Sequence, residues 1–358
     1  MSLSVIVLAA GAGTRMRSDL PKPLHPICGR PMLLHVVHAL DGVRPDRTVI
    51  VVGHGADTVR STVLAQAPTW ANVTFAIQEN QNGTGDATSA GLTAIAPAEL
   101  GETSTIVVTA GDTPLISAAT ITELVTAHRD NENAATVLTS VLDDPTGYGR
   151  IVRAPDGRVL RIVEQRDASP DELDIREWNT GIYAFRGDLL GPALAGLDTG
   201  NSQGEYYLTD VIARLAADGR RVGAVRVDAA ETLGVNDRSQ LAEADAAMRA
   251  RINHRWMLAG VSMTDPARTC IDVTATLGRD TVLHPDTMVL GSTAIGSGCV
   301  VGPGTTLEDC TVGDGAVVER TTARSATVGD GATVGPYANL APGASVAAAA
   351  RTGAFYTA

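Results

Sequence analysis

The sequence predicts two folds in succession, an α/β domain built on a mostly parallel sheet and then a parallel β-helix. Three observations carry this. From Ser4 to about Val235, short β-branched runs alternate with amphipathic stretches, the pattern of βαβ units with helices on both faces of a sheet. Residues 237–257 are rich in Ala, Leu, Glu, Asp and Arg with few breakers and read as one long connecting helix. Beyond it Leu277, Leu283, Val289, Ile295, Val301 and Leu307 recur every six residues, and after a phase break Val328, Val334, Leu340 and Val346 resume the step. Period six specifies a parallel β-helix.

The elements follow in order. Residues 5–9, 48–52, 73–77 and 105–108 are β-branched runs that predict buried strands. Between them, 31–40, 56–64 and 83–94 carry apolar residues at helical spacing, as in Met32, Leu33, Val36, Val37 and Leu40. Shorter strand-like pieces at 135–141, 149–152 and 160–164 predict an antiparallel addition carrying part of a substrate pocket, and 205–217 a further helix. In the repeat region Gly278, Gly296, Gly302, Gly329 and Gly335 follow the apolar position, where a turn residue is expected. The domains are therefore expected at 1–236, with a helix at 237–262 and the β-helix at 263–358.

With 358 residues the chain is about twice the usual single-domain length. No apolar run approaches the ~20 residues that span a bilayer, and the stretch 4–10 lacks a basic n-region, so the expectation is a cytoplasmic protein without membrane attachment. A net charge of -12 argues against nucleic acid as a partner, because that surface needs a basic footprint. Cys28, Cys270, Cys299 and Cys310 form no CxxC pair and read as small buried thiols. The seven histidines have no ligand spacing. Among 28 basic residues Lys22 is the single lysine, and arginine cannot replace a compact ammonium where one must reach a phosphate.

The segment Ala9-Ala10-Gly11-Ala12-Gly13-Thr14-Arg15 directly follows the first strand. Small residues let backbone N–H groups approach a polyanion, and Arg15 adds charge there. Pro21, Pro23 and Pro26 then forbid a helix and hold Leu20, Lys22 and His25 extended. Two more loops follow strand ends, where open α/β sheets bind ligands. One carries Gln78 and Gly83-Thr84-Gly85, the other Gly111-Asp112-Thr113-Pro114. Asp112 beside a phosphate loop is a natural hard-oxygen ligand for Mg²⁺; a turn aspartate before proline is the plainer alternative.

The pieces LAAGAGTRM, SDLPKPLH, GTG, GDTPLI, PTGYGRIV, IVEQRDA, WNTGIY, QGEYYLTDVI and GVNDRSQL, followed by the hexapeptide repeats, occur in this order over essentially the whole chain. In them the sequence resembles the bacterial N-acetylglucosamine-1-phosphate uridylyltransferase family, whose fuller members also carry a glucosamine-1-phosphate acetyltransferase. The resemblance implies a Rossmann-like nucleotidyltransferase domain and a left-handed β-helix that forms a homotrimer. It implies that Ala9, Ala10, Gly11, Gln78, Gly83 and Thr84 bind the uridine nucleotide, that Gly147, Glu164 and Asn179 bind the amino sugar, and that Asp112 and Asn236 hold Mg²⁺. Arg15 and Lys22 would be the catalytic pair on the triphosphate. UTP and N-acetylglucosamine-1-phosphate would then be the substrates. Glu164 and Asn179 also fit as ordinary polar groups at strand edges.

Two departures qualify the resemblance. Asp86 stands where the family has histidine after GTG, which implies an altered nucleotide pocket. In Ala338-Asn339-Leu340-Ala341-Pro342-Gly343, Ala341 replaces the arginine of the family's R-P-G segment. The chain ends at Ala358 before the other acetyl-transfer residues, so the second activity is expected to be missing. Another sugar-1-phosphate, a bifunctional enzyme, or a non-catalytic scaffold remain the alternatives.

Overall fold

The computed structural model describes residues 2–358. It divides into two compact units: residues up to Gln240 without Pro26–Arg30, and Pro26–Arg30 together with Leu241–Ala358. The boundary thus falls inside the long helix Arg238–Leu258 rather than at either of its ends. The short Pro26–Arg30 segment goes with the second unit because its backbone is hydrogen-bonded there. Cys28 N donates to Asp245 Oδ1 at 3.0 Å, and Cys28 O accepts from Val273 N at 3.0 Å.

In the first unit the chain runs β1 (Leu3–Ala9), α1 (Met32–Ala39), β2 (Arg47–Val52), α2 (Ala56–Gln66), β3 (Val73–Ile77), α3 (Thr84–Leu92), β4 (Thr105–Ala110) and α4 (Ala118–Asp130). It continues through β5 (Ala135–Val141), β6 (Arg150–Arg153), β7 (Val159–Val163), β8 (Glu177–Arg186), α5 (Gly187–Ala195), α6 (Thr209–Ala217) and β9 (Val222–Arg226). The sheet order is β9-β5-β8-β4-β1-β2-β3, with β6 and β7 attached to β8. The β-branched runs of β1, β2 and β4 are buried on both faces, as strands covered by helices must be. One apolar cluster packs α1 and α4 against one face, and a second packs α5 and α6 against the other.

The antiparallel addition is present, with β6 and β7 paired antiparallel to each other, and only the partnering of β5 goes beyond the sequence expectation. β5 runs parallel to β9; β8 is the reversed strand, antiparallel to both β4 and β5, and to β6 at Trp178. Periodicity reports a strand but not its direction, which the partners decide. The helix expected over 205–217 begins only at Thr209. Ahead of it the backbone is taken by tertiary pairing: Tyr206 N donates to Asn82 O at 2.8 Å and Gly85 N to Tyr206 O at 2.8 Å.

The second unit stacks parallel coils into three sheets of five strands each. Leu283, Val289 and Ile295 point inward and are buried, with Val301, Leu307, Val312 and Val318 continuing the columns. The phase break resolves into corners shortened by one residue, at Leu307 to Val312, Val318 to Ala323 and Ala323 to Val328. Gly278 and Gly296 are not the turn residues. A Cβ on Gly278 would lie 2.4 Å from the Gly296 carbonyl carbon, so glycine there permits coil-to-coil approach, while left-handed backbone sits at Asp280 and Gly298.

Candidate active site

The strands β1, β2 and β4 pair in parallel register, with Ala9 beside Val52 and Leu8 beside Ala110. Their carboxyl ends therefore reach one edge of the sheet, where ligands bind in open α/β folds. The glycine-rich loop leaves β1 here. Gly13 takes left-handed backbone (φ 60°), and a Cβ on it would lie 2.5 Å from Lys22 Cβ. Glycine at this position thus serves both the turn and the passage of the lysine stem. Thr14–Met16 then forms a 3-10 turn that buries Met16 and leaves Arg15 exposed.

Lys22 does not lie in extended backbone as its prolines suggested; it opens a 3-10 turn, Lys22–Leu24. A first-turn proline loses nothing, since N–H groups there have no intrahelical partner. His25 does stay extended, and it is buried. The Lys22 ammonium donates to Asp112 Oδ2 and, at 3.0 Å, to Asn236 Oδ1, which also accepts from Arg15 at 3.0 Å. Residues from three segments far apart in sequence are thereby joined. Asn236 is brought in by its neighbour, because Val235 N donates to the Asp112 carbonyl at 2.9 Å.

Among the described residues no cluster of three or more His, Cys, Asp or Glu can hold a metal. Mg²⁺ needs no such cage, since it is usually held by one or two carboxylates with substrate phosphates and water. The residues present fit it: Asp112 Oδ2 and Asn236 Oδ1 are hard oxygens that already converge on one positive charge, the Lys22 Nζ.

Past the carboxyl end of β3, Gln78 is 7% exposed. Its Nε2 donates to Gly83 O at 3.1 Å and Asp86 Oδ2 at 2.8 Å. Gly83 has φ 106° and lies against Tyr206; Thr84 Oγ1 accepts from Leu208 N at 3.1 Å. Ala10 O accepts from Gln81 Nε2 at 2.9 Å and His54 N at 3.2 Å, while Gly11 faces open space.

At the opposite end Gly147 N donates to Gln165 Oε1 at 3.2 Å. Glu164 accepts from Thr209 Oγ1 at 3.1 Å, and Asn179 Nδ2 donates to Tyr183 Oη at 2.7 Å. Asn179 N donates to Gly149 O, and a Cβ on Gly149 would lie 3.4 Å from Glu164 Oε2, so these two polar groups flank one backbone. Burial raises the Glu164 carboxyl above its ordinary pKa, opposed by the Thr209 bond and reinforced by Asp210 and Asp167. Burial likewise raises the Tyr183 hydroxyl.

Sequence reasoning missed four supports of this end. The rings of Tyr148 and Trp178 pack at 4.2 Å between centroids with their planes tilted by 47°. The Tyr148 hydroxyl is raised by burial and by Asp112, and lowered by Arg15, which puts it within electrostatic range of the Lys22–Asp112 cluster. Thr209 and Tyr183 hold Glu164 and Asn179. All four lie in quoted motifs, but nothing linear tells which side chains meet. Of the cysteines, Cys299 and Cys310 are buried, whereas Cys28 and Cys270 are only half-buried; all four are free thiols. Among the described residues no helix is long and apolar enough to cross a membrane.

Residues 5–165 match the MobA-like NTP transferase domain family, and residues 274–309 match six bacterial transferase hexapeptide repeats, the repeat of left-handed β-helices. The chain is 50% identical over 354 residues to the "Bifunctional protein GlmU" of Mycolicibacterium vanbaalenii, spanning 98% of this chain and 71% of that protein. The same identity and coverage hold for the protein of that name from Mycobacterium tuberculosis. The one from Mycobacterium ulcerans is 48% identical over 328 residues, 91% of this chain and 66% of that one. Among solved structures, a UDP-glucose pyrophosphorylase complexed with UDP-glucose aligns over 70% of this chain and all of its own at TM-score 0.57 and 16% identity, a likeness of fold.

Proposed function

The chain belongs to the GlmU family, and from that membership we propose that it converts UTP and N-acetylglucosamine-1-phosphate to UDP-N-acetylglucosamine and pyrophosphate. It is a nucleotidyltransferase enzyme. The observation that carries the substrate reading is the convergence of Arg15, Lys22, Asp112 and Asn236 at the strand ends. Such a cluster is the apparatus that phosphoryl transfer needs, and Glu164 with Asn179 supports a sugar on one side of it.

The sugar phosphate oxygen attacks the α-phosphorus of UTP in line. A new P–O bond forms as the bond to the β-phosphate oxygen breaks, so no protein nucleophile takes part, only alignment and charge neutralisation. Arg15 and Lys22 stabilise the negative charge that gathers on the departing pyrophosphate. Gln78 and the Gly83 backbone hold the base; Glu164, Asn179 and Gly147 hold the amino sugar. Mg²⁺, when bound by Asp112 and Asn236 with the phosphates, supplies charge neutralisation there.

Acetyl transfer is proposed to be absent, because Ala341 offers a methyl group where the family resemblance implies an arginine. Pyrophosphate release over a panel of nucleotides and sugar phosphates tests the main reading. UTP with N-acetylglucosamine-1-phosphate should be the preferred pair; preference for another pair overturns it. Release of free coenzyme A from acetyl-CoA and glucosamine-1-phosphate would refute the absence of the second activity.

A further inference from the structure

The nucleobase end contains an acidic side chain for which the reaction gives no role. Asp86 lies in the first turn of α3, a position where a helix N-terminus favours a carboxylate. Its Oδ2 accepts one hydrogen of the Gln78 amide at 2.8 Å, and Gly83 O accepts from the same nitrogen at 3.1 Å. An amide nitrogen has two hydrogens, so both are engaged. That leaves Oε1, an acceptor, as the amide's remaining polar atom for a ligand.

The orientation of a glutamine amide is ordinarily free to reverse, which exchanges a donor for an acceptor at the same point. Here reversal would set Oε1 against the Asp86 carboxylate and the Gly83 carbonyl, replacing two hydrogen bonds by two acceptor-to-acceptor contacts. We propose that Asp86 is a positioning residue that locks Gln78 with its carbonyl outward and so sets the base selectivity of the site. A locked acceptor takes a pyrimidine with a ring N–H, as uracil has, and rejects cytosine, whose ring nitrogen at that place carries a lone pair. The inference rests on the uridylyltransferase reading and adds to it the residue that chooses the base.

The test compares UTP with CTP for the intact chain, Asp86→Ala and Asp86→Asn, by pyrophosphate release and by calorimetric binding. Asp86→Ala should lower the UTP-to-CTP ratio in kcat/KM and in Kd by roughly tenfold, the worth of one lost hydrogen bond to a charged group, with Gly83 O still holding the amide. Asp86→Asn should keep most of the ratio, since its amide oxygen can accept the same bond. A merely structural role would move both nucleotides equally and leave the ratio alone, which overturns the proposal. So does an unmodified chain that binds the two alike. Selective UTP binding without pyrophosphate release would sink the catalytic reading and leave this one standing.

Discussion

Lys22 is ion-paired with Asp112 across the site, and its ammonium also donates to Asn236 Oδ1 at 3.0 Å. The only lysine of the chain therefore stands against the two oxygens proposed to hold Mg²⁺. The Lys22 side chain is 14% exposed and Asp112 27%, so solvent screens the pair only in part.

Lys22→Ala should lower the rate of pyrophosphate release by roughly 10² to 10³-fold, the effect of deleting one preorganised charge-stabilising donor. Lys22→Arg should stay clearly impaired, because a planar fork replaces a point charge on a stem already packed against Gly13. Near wild-type release by Lys22→Ala would reassign the phosphate contact to Arg15.

Asp112→Asn removes a carboxylate from a hard-cation site and should abolish most activity at low Mg²⁺, with partial recovery as Mg²⁺ is raised. Titration of activity against Mg²⁺ reads this directly. A variant matching wild type at low Mg²⁺ would make Asp112 a turn residue.

Glu164→Gln should raise KM for the sugar phosphate while leaving neutral-pH stability intact or higher. Because burial raises the folded-state pKa of Glu164 above its ordinary 4.5, the folded chain holds this proton more tightly. Its contribution to stability is fully present below the unfolded pKa and is lost as pH rises through the raised value. Thermal melts across that range should show a flatter pH dependence for the variant. A large loss of melting temperature at neutral pH would instead mark Glu164 as a structural carboxylate.

His128 has the opposite sign. Burial first, then Arg129 and Arg186, lower its pKa from 6.5 to about 4. The unfolded chain therefore binds more protons between these values, and stability falls as pH drops from 6.5 toward 4, by up to about 3 kcal/mol for this group. Denaturant unfolding of His128→Gln should lose part of this acid sensitivity. An unchanged pH slope would count against it.

In the β-helix unit Tyr337 and Phe355 stack at 5.2 Å yet are 53% and 73% exposed, apolar surface that association would cover. Light scattering of the intact chain should give the mass of a trimer; a monomer at micromolar concentration would contradict this.

The parallel strands were legible because β-branched runs buried on both faces leave a continuous apolar signature, as β1, β2 and β4 show. The β-helix was legible because each inward position repeats. Its shortened corners were not, since Val312, Val318 and Ala323 fall out of the six-residue step and only their stacking on neighbouring coils restores them. Asp112 and Lys22 could be singled out by residue type and loop context. That one ammonium meets both Asp112 and Asn236 could not.

What the sequence determined by itself was what is local or periodic: strand and helix identity, the glycine loop, the hexapeptide step, and the chemistry available at each loop. Tertiary structure alone decided direction and pairing. It reversed β8, delayed α6 to Thr209 by pairing Tyr206 with Asn82 and Gly85, turned Lys22 into a 3-10 turn, and clamped Gln78 with Asp86. The physical reason is that a backbone or side-chain polar group must find a partner when buried, and several local partners would satisfy it equally. Which one it takes depends on residues distant in sequence, and those become neighbours only once the sheet has formed.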